Sequence, residues 1–234
     1  TLPWNTVLVS TSGLAVLGGS LMITLVPNGP YQKRSQQFQL SAFIQVFQNR
    51  SFRSAAFGYF GHMWELYTFW AFVPIMLQTY ALVHPNTHFP VPLLSFVIIA
   101  VGGLACVLGG YLSQVAGTKR VASMALLLSG LCCLISPLLF MQGSATLFIG
   151  FLLFWGMVVI ADSPLFSTLV AQNASAEIKG TALTIVNCIG FAITIVSIQL
   201  VNELRIWSNS NMVYMVLALG PLFGLIALAS KKKG

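Results

Sequence analysis

Long apolar runs, each near the length needed to cross a hydrocarbon core, recur along almost the whole chain. About seven are long enough to span a bilayer as helices, at about 20 residues apiece; they occupy 4–26, 54–80, 91–113, 121–141, 145–170, 180–202 and 211–230. Without water to satisfy backbone N–H and C=O groups, a lipid-facing segment must bond internally, which helices do. Composition agrees. Only 6% of the residues are charged and 57% are apolar, whereas a soluble domain carries about a quarter charged residues. The expected fold class is therefore an all-α membrane protein.

The basic residues are spread between the runs rather than gathered on one face, so the net charge of +7 speaks for membrane orientation and against nucleic acid. Lys33, Arg34, Arg50 and Arg53 follow the first run; Lys119 and Arg120 follow the third, Lys179 the fifth, and Lys231, Lys232 and Lys233 the last. If the spans alternate, all of these fall on one side and Arg205 alone on the other. Basic loops stay cytoplasmic, which puts the N-terminus outside and the C-terminus inside. The segment 27–53 is polar, but Phe38, Leu40, Phe43, Ile44 and Phe47 recur at near-helical spacing. That pattern predicts an amphipathic helix on the membrane surface.

Glu65 and Asp162 are acids inside spans, and an embedded charge costs about 2.5–3.5 kcal/mol on insertion scales. Each is a functional candidate for that reason. At about 100° per residue, Gly58, Gly61, His62, Glu65, Thr68 and Phe69 share one face of the second span. His62 and Glu65, three apart, can touch and together could take up a proton; a neutral acid fastening neighbouring helices is the plainer reading. Asp162 lies beside Ser163 and Pro164, with Trp155 on the same face two turns away. It is a candidate for gating or cargo contact, and Ser163 could satisfy a carbonyl that the proline leaves unpaired. Trp64 and Tyr67 are candidates for a cavity wall, and Asn187 for solute contact within the stripe Gly180, Thr184, Asn187, Gly190 and Thr194. Gly102, Gly103, Gly109 and Gly110 offer a face for close helix packing.

Other chemistries find no residues to carry them. Cys106, Cys132, Cys133 and Cys188 all sit in apolar runs without metal-ligand spacing, and read as small buried hydrophobes. No phosphate-binding glycine loop, GxSxG or histidine cluster is present, so neither a cofactor nor a metal is expected, and no enzyme activity. No lysine or arginine lies in mid-span, which leans the cargo towards neutral, zwitterionic or cationic solutes. Asn49-Arg50-Ser51 and Asn173-Ala174-Ser175 match the glycosylation pattern but fall on the cytoplasmic side.

After the third span comes Gly110-Tyr111-Leu112-Ser113-Gln114-Val115-Ala116-Gly117-Thr118-Lys119-Arg120. It resembles the inter-helix loop signature of the major facilitator superfamily, Gly-x-Leu-x-Asp-x-x-Gly-x-Lys/Arg, with Gln114 where the acid usually stands. Phe57 to Tyr67, Ala161 to Ser167 and Lys179 to Thr184 with Asn187 are similar to a bacterial branch of that superfamily. The resemblance implies twelve helices in two six-helix halves with the cargo site between them. In that register residues 1–26 are the last helix of the N-terminal half, 27–53 a cytoplasmic linker, 54–230 the C-terminal six-helix bundle and 231–234 a cytoplasmic tail. Most of the N-terminal half would then lie outside the chain, as a partner from the same polypeptide. The implied function is alternating-access movement of a small solute, coupled to a proton or ion gradient, in a bacterial inner membrane. Gly110, Gly117, Lys119 and Arg120 would gate. A seven-helix receptor and a membrane-embedded enzyme are the competing classes; against the first, the third span lacks an Asp/Glu-Arg-Tyr end and the seventh an Asn-Pro-x-x-Tyr.

Overall fold

Uninterrupted hydrogen bonding within each apolar run gives a chain of helices and, among the described residues, no strand. The computed structural model describes residues 3–27, 46–208 and 210–230. These fall into two units, Thr1–Gln37 and Phe38–Gly234. The first contains α1 (Trp4–Leu25), apolar along its whole length. Most of the proposed surface helix, Phe38 to Ile44, lies outside the described residues; Phe47 falls in a helical turn at 46–48.

The second unit holds α2 (Arg50–Val83), α3 (Val91–Ala116), α4 (Thr118–Met141), α5 (Ala145–Ala161), α6 (Ser163–Asn173), α7 (Lys179–Ser208), a 3₁₀ stretch (Asn211–Ala218) and α8 (Leu219–Ala229). Together with α1, seven segments are long and apolar enough to cross a membrane, α5 with α6 counting as one and the 3₁₀ stretch with α8 as another. Two departures from the sequence expectation share a cause. The fifth span breaks at Asp162, two residues before Pro164, and the last begins as a 3₁₀ helix ahead of Pro221. Proline has no N–H for the carbonyl four residues back, which weakens the helix there, although α2 and α4 run on through Pro74 and Pro137.

Leu104, Val107, Leu108, Leu112 and Val115 of α3 point outward and are exposed, as suits a surface whose solvent is lipid. Inside, the packing relies on small residues. α2 and α8 cross at Gly61 and Gly220, so close that a methyl on either would collide with the other's carbonyl oxygen. Gly102 and Gly109 of α3 lie against α5, while nothing stands within 4 Å of where a side chain would grow on Gly103 or Gly110. The four-glycine face is thus half used: one residue of each pair points at the neighbour.

Aromatics close one end of the bundle. Tyr80 stacks on Phe148 and His84, with centroids at 4.1 and 4.2 Å, and donates its hydroxyl to the Gln142 carbonyl at 2.6 Å. The other end gathers the starts of α2 and α4 with the ends of α6 and α8. There Arg50 Nη2 donates to Ser230 Oγ at 3.0 Å and Asn49 Nδ2 to the Asn173 carbonyl at 3.2 Å. Arg50 and Lys119 face a common cleft of about 300 Å³. Alternating spans are required to bring these residues to one end, as the charge pattern anticipates; Lys33, Arg34 and Lys231 to Lys233 lie outside the described residues.

Candidate functional site

α2 carries the buried polar groups of the bundle on the face read from its periodicity. Gly58, Gly61, His62, Glu65, Thr68 and Phe69 are all buried, Glu65 and His62 to 0% and 1% exposure. An acid so placed must find donors from other helices, and Glu65 finds three. Trp155 Nε1 of α5 donates to Oε1 at 2.7 Å, Ser129 Oγ of α4 to Oε2 at 2.8 Å, and Cys133 Sγ of α4 to Oε1 at 3.3 Å. Ser129 and Cys133 are one turn apart, so a single face of α4 presents both.

His62 does not pair with Glu65, the neighbour expected from their spacing. Its Nδ1 approaches Asp162 Oδ1 at 2.8 Å, and Asp162 is likewise buried. The approach is close but not aligned as a hydrogen bond, so that both Asp162 oxygens and His62 Nε2 are left without one. Tyr59 and Phe166 flank the imidazole, with ring centroids at 6.0 and 6.1 Å. Gly58 makes room for Phe166; a Cβ there would stand 2.5 Å from its Cε1.

The backbone explains why Asp162 is where it is. It terminates α5, and its carbonyl accepts from Phe166 N at 2.8 Å to start α6. Pro164 leaves the Ile160 carbonyl without its usual donor. Cys106 Sγ of α3 fills that role at 3.5 Å, the task the sequence reading gave to Ser163. The acid therefore sits on a joint in its span, tied through His62 to α2.

The remaining candidates lie elsewhere. Trp64 Nε1 donates to the Val216 carbonyl at 3.2 Å, and its ring lines a shallow apolar cavity of about 200 Å³ with Phe57, Phe60 and Phe223. Tyr67 packs on Trp70 and Phe191, with centroids at 5.3 and 5.5 Å. Asn187 is exposed on α7, as is Cys188 beside it. Gly117 joins α3 to α4 at φ 90° and ψ 135°, a conformation open to glycine. Gly110 accepts from Ser113 Oγ at 2.7 Å through its carbonyl. Lys119 lines the basic cleft and Arg120 is exposed next to it. No group of three or more potential ligands that could hold a metal occurs among the described residues.

Sequence reasoning missed Ser129, Cys133 and Cys106 as partners of the site, and took the cysteines as plain hydrophobes. The stripe Ser129, Cys133 and Ser136, at one-turn spacing on an otherwise apolar span, was the available signal.

No curated protein compared with the chain matches it. Residues 1–198 match the family model of the Major Facilitator Superfamily, a span that takes in α1 through most of α7 and every residue of the buried cluster. The chain belongs to the Major Facilitator Superfamily and is a membrane transporter of that kind.

Proposed function

We propose that the chain forms part of a proton-coupled secondary transporter that moves a small solute by alternating access. The observation that carries this reading is the burial of Glu65, His62 and Asp162 within the spans, at 0%, 1% and 0% exposure. Ionisable groups inside a membrane are expensive to keep and are rare unless they move ions or protons.

The six spans of the second unit match one half of the two-half design, with α1 as the helix before the linker; the other half completes the solute path. Trp64, Tyr67 and Asn187 are proposed to meet the solute, the first two as half-buried aromatics at the edge of the unit's own core and Asn187 as an exposed polar group. Gly110, Gly117, Lys119 and Arg120 gate at the basic end, which is cytoplasmic if basic loops are retained there; the resemblance of its motifs to a bacterial branch supports a bacterial inner membrane. The absence of a permanent cation beside the buried acids favours neutral, zwitterionic or cationic cargo.

The test uses the complete transporter in liposomes and follows external pH while neutral, zwitterionic and cationic solutes are added in turn. A pH change that accompanies entry of one class supports the reading. Counterflow of a solute with no pH change under any condition would overturn the proton coupling and leave a uniporter or another ion-coupled carrier.

A further inference from the structure

We infer that the exchangeable proton is held by the His62–Asp162 pair, and that Glu65, the more central acid, is a positioning residue. This rests on the proton-coupled reading above and says which members of the cluster do the exchanging.

The two acids are equally buried but differ in what their oxygens touch. Glu65 is well supplied: Trp155, Ser129 and Cys133 deliver donors to both oxygens from two helices. A carboxylate has about four lone-pair sites, all acceptors, and becomes a donor at one oxygen when protonated. A proton on Glu65 would need a donor to turn away: Ser129 can, since its hydroxyl also reaches the Leu126 carbonyl at 3.1 Å, but the Trp155 indole can only donate. Those bonds hold three helices together, which is the work of an anchor.

His62 and Asp162 show the opposite pattern. His62 Nε2 and both Asp162 oxygens are buried without a hydrogen-bond partner, which is costly for polar atoms; of these, Nε2 and Oδ2 point away from the contact between the two side chains. They are the free ends of the pair, since Nδ1 and Oδ1 face each other at 2.8 Å. The free ends are where a proton can enter or leave without breaking a bond. With a neutral imidazole and an ionised carboxylate the pair carries one negative charge. One proton added at Nε2 makes an imidazolium facing a carboxylate, with no net charge; loss of that proton from Nε2 restores the start. No other reactant is needed.

The groups near Asp162 are His62 and Glu65 from α2 and the Cys106 thiol from α3, so the neighbouring charge is another acid and no cation competes for the pair. Tyr59 flanks His62 from the same helix. Among the described residues, Arg50 and Lys119 face the cleft at the basic end instead.

Position gives the pair a mechanical consequence. Asp162 is the joint between α5 and α6, and its contact with His62 spans from that joint to α2. Changing the charge on the pair changes the attraction across the joint, whereas Glu65 contacts α5 a full two turns away at Trp155. A proton on the pair therefore biases the bend of the fifth span, the element an alternating-access cycle could use.

The experiment titrates the proton itself and needs no solute. Purified complete transporter in nanodiscs is taken from about pH 8 to about pH 5, the window in which histidine charge changes occur. Protons bound per molecule are counted with a soluble indicator, and carboxyl and imidazole bands are followed by infrared difference spectroscopy. Asp162→Asn and His62→Gln should each bind about one proton fewer than wild type and lose the imidazole band assigned to His62, one of only three histidines in the chain. Glu65→Gln should bind the wild-type number while unfolding more easily. The assignment is overturned if Glu65→Gln loses the proton and the other two keep it, or if no variant differs from wild type. Should Asp162→Asn not fold, His62→Gln decides alone. A wild type that binds the proton at His62 yet shows no pH change with any solute would sink the transport coupling and leave this site standing.

Discussion

Trp155 donates its indole N–H to Glu65 Oε1 at 2.7 Å, fastening α5 to the middle of α2. The indole also packs on Phe69 and Phe151, with centroids at 4.6 and 5.5 Å. Trp155→Phe keeps an aromatic ring in that space and removes only the donor. The buried oxygen then loses its shortest bond, which should lower stability by about 1–3 kcal/mol. Thermal unfolding in detergent, followed by intrinsic fluorescence or light scattering, should show a clear drop in midpoint. An unchanged midpoint would mean Ser129 and Cys133 satisfy Glu65 without help.

The α2–α8 crossing predicts a sharp contrast between glycines. At Gly61 an added methyl meets the Gly220 carbonyl oxygen, and the two helices must separate; overpacking of this kind costs about 1–3 kcal/mol. Gly103 has open space around it, and Gly103→Ala should lie within about 0.5 kcal/mol of wild type. Comparing the two variants by thermal unfolding tests the crossing itself. Equal effects would contradict it.

Gly117 makes a second kind of glycine argument. Its φ of 90° is rare for any residue with a Cβ, although nothing crowds the site. Gly117→Ala should therefore act through backbone strain, of about 1–3 kcal/mol, with no steric component. Gly110→Ala, inside α3 before its last turn, has neither strain nor crowding. In a transport assay the gating proposal expects both variants to slow turnover, Gly117→Ala the more because it alone strains the backbone. Wild-type turnover in either would remove that glycine from the gate.

Much of the architecture could be read from the residues because the bilayer sets the rules. A run of about 20 apolar residues has few alternatives to a spanning helix, and basic residues mark one side. The face of α2 was legible too, since every residue placed on it by helical period is buried. Partner choice was not. Spacing allowed His62 to meet Glu65, but which neighbour wins depends on how α4, α5 and α6 pack against that face. The deciding residues, Ser129, Cys133 and Pro164, lie 60 or more positions away in sequence. Nor did the pattern distinguish Gly102 from Gly103: adjacent glycines on a helix point about 100° apart, and only the neighbouring helix shows which one is used.

The exposed pair Asn187 and Cys188 on α7 offers a direct test of the solute-path proposal. Both face away from the unit's own core, and such a face of a span is wetted by a cavity, covered by lipid or packed against the other half. A water-soluble maleimide reacts with a thiol that reaches the thiolate form in water and is excluded from hydrocarbon. Cys132 and Cys133 are buried and Cys106 is half-buried, so with any cysteines outside this chain replaced, Cys188 should account for nearly all labelling of the complete transporter in intact membranes. Saturating solute should then slow that labelling if Asn187 lines the path. Labelling only by a lipid-soluble maleimide would place this face of α7 against the bilayer and remove Asn187 from the candidates.

The basic end gives the last prediction, the orientation of the whole bundle. Ser230 accepts from Arg50 at that end, whereas Asn86 lies in the loop between α2 and α3 at the aromatic end. Retention of basic loops in the cytoplasm places Ser230 inside and Asn86 outside. With the native cysteines replaced, a single cysteine at 86 should react with an impermeant maleimide added to intact cells. One at 230 should react only after the cells are opened. The reverse result would invert the topology, carry Lys119 and Arg120 to the outer face, and leave the proposed cytoplasmic gate without its location. Reaction of both in intact cells would mean that the two ends do not lie on opposite sides, which an odd number of crossings between residues 86 and 230 forbids. From position 86 the chain crosses through α3, α4, α5 with α6, α7, and the 3₁₀ stretch with α8. Opposite labelling of the two sites therefore tests the span count together with the orientation.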